Sequence, residues 1–277
     1  MRTLQEAIEQ KENQGGAGSS LRKHLATAGI ETWEDITRAS LYEFRDVLTS
    51  SVAPSTARTI CAYAKSLLKR YCDELDLPSD WEEILKLKGD VCRSTYLTPK
   101  ELKAFEAVQT KGRKERLVQV ESLIEAYTGA RLSDVMTFTE ENFAGGYLTY
   151  TSRKTKVTAT VPVSEKTRGW IIYAQTHRDD EPTLMSRNRI IRRLAKKAGI
   201  DSAVKTRRGG VEKVTPKWEV LTSHCMRRSC ATNLVMSGAS LTEAKITLGH
   251  TNEMMTSRYV VSTKPQLSPK AMAYFGC

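Results

Sequence analysis

His224 and Arg227 stand three apart in Ser223-His224-Cys225-Met226-Arg227, so on a helix both project from one face. A histidine and an arginine together at a helix start suit a phosphate. The guanidinium offers a bidentate fork, and the helix end adds backbone N–H groups. Alone, H-x-x-R equally describes a surface histidine beside a solvated arginine, and the surrounding residues decide between the two. Downstream come Leu248-Gly249-His250 and, nine residues after that histidine, Tyr259. Upstream lies Gly129-Ala130-Arg131-Leu132-Ser133-Asp134, with Arg131 at a turn between helices, and between the two regions a polar turn carries Lys154. Arg131, Lys154, His224, Arg227, His250 and Tyr259 form a toolkit for metal-free transesterification of a phosphodiester. Arginines neutralise charge building in the transition state, a tyrosine oxygen attacks phosphorus, and lysine and histidine move the protons.

The elements that must position these groups can be read from capping residues and periodicity. Residues 3–13, 20–27 and 32–48 read as helices, the first two separated by Gly15-Gly16-Ala17-Gly18-Ser19-Ser20, and TSSVAPST (49–56) ends the third. Pro54 opens a strong helix over 55–71, with Ile60, Tyr63, Ala64, Leu67, Leu68 and Tyr71 on one face. Arg58, Lys65 and Lys69 line its opposite side, as on a solvated face or a helix laid along phosphates. Residues 77–95 form a connector with a helical turn or two. Thr98-Pro99-Lys100-Glu101 is a capping box with proline at the first helical position. A helix follows over 115–128, and another short one after Arg131. In 147–163 the period changes to two, which predicts a hairpin whose turn is 152–156. Helix returns from Ser186, as cap, to Gly199, and 201–217 reads as a basic, glycine-containing loop. Helices at 224–236 and 241–249 complete the pattern, the latter opened by the box Ser240-Leu241-Thr242-Glu243. The expected fold is mainly α with a small β-sheet.

The 277 residues suffice for two domains, and the 40% hydrophobic and 27% charged fractions are those of an ordinary globular protein. No apolar run approaches the ~20 residues of a membrane span, and MRTLQEAIEQKENQ holds no signal-peptide core, so an intracellular location is expected. Cys61, Cys72, Cys92, Cys225, Cys230 and Cys277 form no C-x-x-C pair, which argues against zinc and against a disulfide framework. No metal and no cofactor is expected. The net charge is +11 and uneven. Residues 1–90 hold 12 Lys/Arg against 15 Asp/Glu, whereas 91–277 hold 31 against 17. A polyanion, nucleic acid first, is the partner such a surplus suits. Ten basic residues fall in 187–213, among them Arg187, Arg192, Lys196, Arg207 and Arg208, which are assigned to the DNA backbone together with Arg58, Lys65 and Lys69.

The ordered set Arg131, Lys154, His224-x-x-Arg227, Leu-Gly-His250 and Tyr259 resembles the tyrosine recombinases, the phage-integrase family, and the Lys217–Arg228 stretch is similar to integrases of Bacteroides-type mobile elements. The resemblance covers 98–260. It implies a helical core-binding domain over 1–90, a linker over 91–97, a mixed α/β catalytic domain over 98–260, and a tail over 261–277 able to contact another protomer. It further implies that Tyr259 is the nucleophile, leaving a 3′-phosphotyrosyl bond and a free 5′-hydroxyl. Arg131 and Arg227 would hold the phosphate, Lys154 protonate the leaving oxygen, His224 handle the tyrosine proton, and His250 hydrogen-bond the phosphate. Asp134 would support the site. Lys156 is the alternative to Lys154, and Tyr274 is a rival to Tyr259 by residue type only. Arg228, about 100° around the helix from Arg227, is expected to meet DNA or solvent, and His24 and His177 to be surface residues. The implied function is site-specific recombination of double-stranded DNA, integrating or excising a phage or mobile element in a prokaryotic cytoplasm, nucleoid-associated. The protein would be a monomer in free solution and a homotetramer on synapsed sites, with a DNA-bending accessory protein as a possible partner. A Xer-type resolvase, a topoisomerase and a non-catalytic helix-turn-helix regulator are the alternatives.

Overall fold

The computed structural model describes residues 2–13, 18–88, 95–208 and 211–260, the side chains of 207, 208, 211 and 212 excepted. Two compact units emerge: Met1–Cys92 with Thr206–Lys213, and Arg93–Lys205 with Val214–Cys277. The expected linker falls largely outside the described residues.

The first unit holds α1 (Leu4–Glu12), α2 (Gly18–Thr27), α3 (Arg38–Ser51), α4 (Pro54–Tyr71) and the single turn α5 (Trp81–Ile84). Their apolar faces meet in one core that includes Leu4, Ile8, Leu21, Phe44, Leu48, Ile60, Leu67 and Trp81. The helix expected from residue 32 begins only at Arg38. The Asp35 carboxylate accepts from the backbone N–H of Glu31 and Thr32 at 3.0 and 2.7 Å, a local turn that competes with helix, and Thr37 then caps α3. The break comes at Val52, which is extended, and Pro54 takes the first position of α4 as expected.

The second unit, with residues 206–213 of β4 and β5 assigned to the first, runs α6 (Pro99–Ala107), α7 (Arg113–Thr128), α8 (Leu132–Val135), β1 (Phe143–Ala144), β2 (Tyr147–Thr151), β3 (Thr158–Pro162), α9 (Glu165–Thr176), α10 (Leu184–Lys197), β4 (Ala203–Arg208), β5 (Val211–Pro216), α11 (Lys217–Val220), α12 (Ser223–Met236), α13 (Leu241–Leu248) and α14 (Glu253–Ser257). Strands β1, β2 and β3 form an antiparallel meander in which Leu148 faces Val161 and Tyr150 faces Ala159, all four buried. Two expectations are corrected. Residues 203–208 and 211–216, within a stretch read as a loop, form a two-stranded sheet; interleaved Lys and Arg obscure their alternating β-branched residues in the sequence. Helix α10 is capped by Thr183, whose Oγ1 accepts from Ser186 N, so it starts at Leu184 rather than after Ser186. Helices α9 and α14 and strand β1 had no counterpart in the sequence reading.

Helix α7 is the centre of this unit and is buried on nearly every side. Its interior polar groups must therefore find partners within the protein. Gln119 Nε2 donates to the carbonyls of Phe105, Glu106 and Val108 at the end of α6. Glu121 pairs with Arg187 of α10, and Glu125 with Ser223 of α12. At its C-terminal cap Gly129 has φ +71°, and a Cβ there would lie 2.9 Å from Leu248 Cδ2 and 3.1 Å from Cys230 Sγ. Glycine is thus required twice over, by conformation and by the close approach of α12 and α13.

Candidate active site

Gly129 ends α7 and turns the chain into Arg131, the cap residue of α8. Asp134, in α8 and 1% exposed, accepts from Ser152 Oγ at 3.0 Å and from Arg153 N at 2.9 Å. Ser152 Oγ in turn accepts from Arg131 Nη1 at 2.9 Å. One buried carboxylate therefore anchors the start of the β2–β3 turn and, through Ser152, orients the arginine. Lys154 and Lys156 both lie exposed in this turn, and Lys156 adopts φ +56°, an uncommon conformation for a residue with a side chain. At the tip, Thr155 Oγ1 donates to Gly249 O at 3.3 Å.

The second half of the site is carried by α12 to α14. Arg227 is 1% exposed; Nη1 donates to Gly129 O, and Nη2 to Leu248 O at 2.7 Å and to His250 Nε2 at 2.9 Å. Gly249, at φ +58°, reverses the chain after α13 and sends His250 inward. Because His250 Nε2 accepts from an arginine, its proton resides on Nδ1, which donates to the buried Thr256 Oγ1 at 3.0 Å. Both ring nitrogens are therefore engaged within the chain. In the DNA-free protein His250 thus holds Arg227, one of the two arginines expected on the phosphate.

Tyr259 follows α14 directly. Its N donates to Thr256 O at 2.8 Å, and its carbonyl accepts from Thr232 Oγ1 at 3.3 Å. Its ring centroid lies 5.0 Å from that of His224, edge-on at 67°, and 4.7 Å from that of His250. The guanidinium carbons of Arg227 and Arg228 stand 5.5 and 5.1 Å from the same centroid. Arg228, expected to meet DNA or solvent, is partly exposed and also covers this ring, donating to Arg258 O at 3.2 Å. Loss of water, then the charges of Arg228, Arg227, Arg131 and Lys154, lower the His224 imidazole to about 4. Loss of water, then Arg227 and Arg131, do the same to His250. Both rings are neutral near pH 7. The arrangement places a phenol between two neutral imidazoles and beside two guanidiniums, which fits proton removal from the phenol and neutralisation of an anion next to it. Thr256 and Ser152 escaped the sequence reading, since nothing in the sequence marks a buried threonine or serine as a partner of a distant ring or guanidinium.

The residues assigned to DNA separate into groups. Arg58 and Lys69 are exposed on α4. Lys65 is paired with Glu82, Nζ to Oε2 at 3.3 Å and Nζ to the backbone O at 2.8 Å; with Lys69, Arg70 and Trp81 these residues line an open cleft of about 530 Å³. Lys196 is exposed over the Trp218 ring, and Arg192 Nε donates to Leu221 O. Arg187 is a correction. It is fully buried and ion-paired with Glu121 at 2.7 Å and with Glu181, so it has no access to a DNA backbone. The side chains of Arg207 and Arg208, and all of the tail with Tyr274, lie outside the described residues. His24 differs from expectation, being buried with Nδ1 at 2.6 Å from Ser20 O, whereas His177 is partly exposed and stacks on Tyr173.

Comparison with known proteins identifies the family and the fold. The model of the phage integrase family matches residues 95–265. No curated protein matches the sequence. Among solved structures, a lambda integrase (75–356) dimer bound to a COC′ core site is 17% identical over 96% of this chain and 98% of its own, with a TM-score of 0.71. A lambda integrase tetramer bound to a Holliday junction is 16% identical over 96% of this chain and 80% of its own, at 0.66. The Tn1549 transposon integrase in complex with transposon right end DNA is 13% identical over 100% of both chains, at 0.65. At these identities the likeness is one of fold. No helix among the described residues is long and apolar enough to cross a membrane.

Proposed function

The chain belongs to the phage integrase family, the tyrosine recombinases, and from that premise we propose that its second unit cuts and rejoins double-stranded DNA at specific sites through Tyr259. The observation that carries this reading is the enclosure of the Tyr259 ring by His224, His250, Arg227 and Arg228 of its own chain. In the proposed reaction Tyr259 Oη attacks phosphorus while Arg131 and Arg227 neutralise the non-bridging oxygens. The bond from phosphorus to the 5′-oxygen breaks, leaving a 3′-phosphotyrosyl ester. The departing oxygen takes a proton from Lys154, the exposed lysine of the turn whose charge reaches His224. His224 accepts the phenol proton. A bound phosphodiester opposes the four cations that depress this imidazole and so raises it toward the range in which a base works near neutral pH. Attack by the 5′-hydroxyl of a partner strand on the ester reverses these steps and restores a diester without ATP.

The biological reading is integration or excision of a phage or mobile element, with residues 1–90 as a core-binding domain and four protomers on synapsed DNA. The dimeric and tetrameric DNA complexes of lambda integrase support that stoichiometry. The test uses nicked duplexes tiled across the DNA that flanks the gene, incubated in EDTA with wild type and with Tyr259→Phe. A covalent adduct on a denaturing gel with wild type and none with the variant is expected. An adduct that survives in Tyr259→Phe, or tight specific binding with no adduct from either protein, overturns the reading.

A further inference from the structure

A carboxyl group sits in the one place where burial penalises it most, between the two segments that carry the site. Glu125, in the last turn of α7, is 1% exposed. Both of its oxygens lie 2.8 Å from Ser223 Oγ. Ser223 is the first residue of α12, itself buried, and its backbone N donates to Asn188 Oδ1 at 3.0 Å. Thr222, the cap of α12, makes no side-chain capping bond, so Asn188 and Glu125 hold this helix start. His224 is the next residue and Arg227 follows one turn later. At the other end, Gly129 N donates to Glu125 O, and Gly129 O accepts from Arg227. Glu125 thus ties the end of α7, which leads into Arg131, to the start of α12.

A serine hydroxyl has one proton and cannot make a full hydrogen bond to each of two carboxylate oxygens. Two contacts of equal length become two bonds when the carboxyl is protonated: Ser223 donates to one oxygen, and the other oxygen donates its proton to Ser223 Oγ. We propose that Glu125 is a positioning residue of the cleavage site, a neutral carboxylic acid whose reciprocal pair with Ser223 fixes the helix turn bearing His224 and Arg227 against the end of α7 that leads into Arg131. The charged groups facing it are Arg187, Glu121 and Arg227. Burial raises the carboxyl to about 8, so the acid form prevails at pH 7 and gives way above that value.

The inference rests on the transesterification reading, and its test separates the two. Glu125→Gln keeps a donor and an acceptor of the same shape and never ionises. Glu125→Leu keeps the volume and removes both bonds. On the nicked duplex at pH 7, Glu125→Gln should form adduct within about twofold of wild type, and Glu125→Leu should be slower by at least about tenfold with DNA affinity unchanged. Between pH 7 and 9 wild-type cleavage should fall while Glu125→Gln does not follow. A purely structural role would not produce that split, and parallel pH profiles or an unimpaired Glu125→Leu overturn the proposal. A second measurement needs no DNA. Amide hydrogen exchange over 223–227 should be at least about tenfold faster in Glu125→Leu than in wild type and Glu125→Gln. Equal protection overturns the inference even if cleavage is normal; loss of protection with no adduct from wild type sustains it while the transesterification reading fails.

Discussion

Arg187→Met distinguishes an internal ion pair from a DNA contact, because the two predict opposite results. The side chain is fully buried, with Nη2 2.7 Å from Glu121 Oε2 and bonded also to Glu181. Removing one member of a buried pair leaves the other charge without compensation, at about 3–5 kcal/mol. Two features place Arg187 at the lower end. Its Nε and Nη1 find no partner among the described residues, so the pair is not fully hydrogen-bonded there. Burial already raises the Glu121 carboxyl, which can therefore neutralise itself by taking a proton. A loss of about 3 kcal/mol is expected at pH 7, growing as pH rises. Guanidinium unfolding of the full chain, followed through the second unit's Trp170 and Trp218, reads it. In parallel, the slope of log affinity against log salt should stay at the wild-type value. A backbone contact predicts instead a slope smaller by about 0.9 and unchanged stability. If Arg187→Met lowers stability by less than about 1 kcal/mol and flattens the salt dependence, the assignment of this arginine to the interior is wrong.

Two further outcomes follow from the same geometry. Gly129→Ala combines a positive φ, at about 1–2 kcal/mol, with a Cβ against Leu248 and Cys230, at about 1–3 kcal/mol after adjustment; a destabilisation of about 2–4 kcal/mol is expected on denaturant unfolding, and a change under 0.5 kcal/mol would contradict the close approach. In DNA-free protein the imidazoles of His224 and His250 should titrate near 4 by NMR, and either midpoint above 6 refutes the environment described for that ring. Because these values are depressed, the neutral rings favour the folded chain above about pH 6.5, and that contribution is lost as pH falls toward 4.

Features set by neighbouring residues were readable from the chain alone. The capping boxes at Thr98 and Ser240, the proline at the start of α4 and the hairpin over 147–163 rest on local hydrogen bonds and on period-two alternation. The six candidate site residues stand out for a different reason, since their chemistry is unusual as a set. What failed was direction over long separations. Arg187 sits in a basic run and looks like surface, but its partner Glu121 lies 66 residues away on a helix no local pattern marks as central. Arg228 looks solvent-facing by helix angle, and only the return of the chain through α14 brings the Tyr259 ring over it. The strands β4 and β5 were missed because alternating Lys and Arg outweighed the β-branched residues between them.

The turn that carries Lys154 is a cantilever. Its root is clamped by the two bonds to Asp134, at 3.0 and 2.9 Å, and its tip rests on the Gly249 carbonyl through one bond at 3.3 Å. Asp134 is thus shared: the carboxylate that holds the turn bearing Lys154 also orients Arg131 through Ser152, so a change at this one residue reaches both side chains.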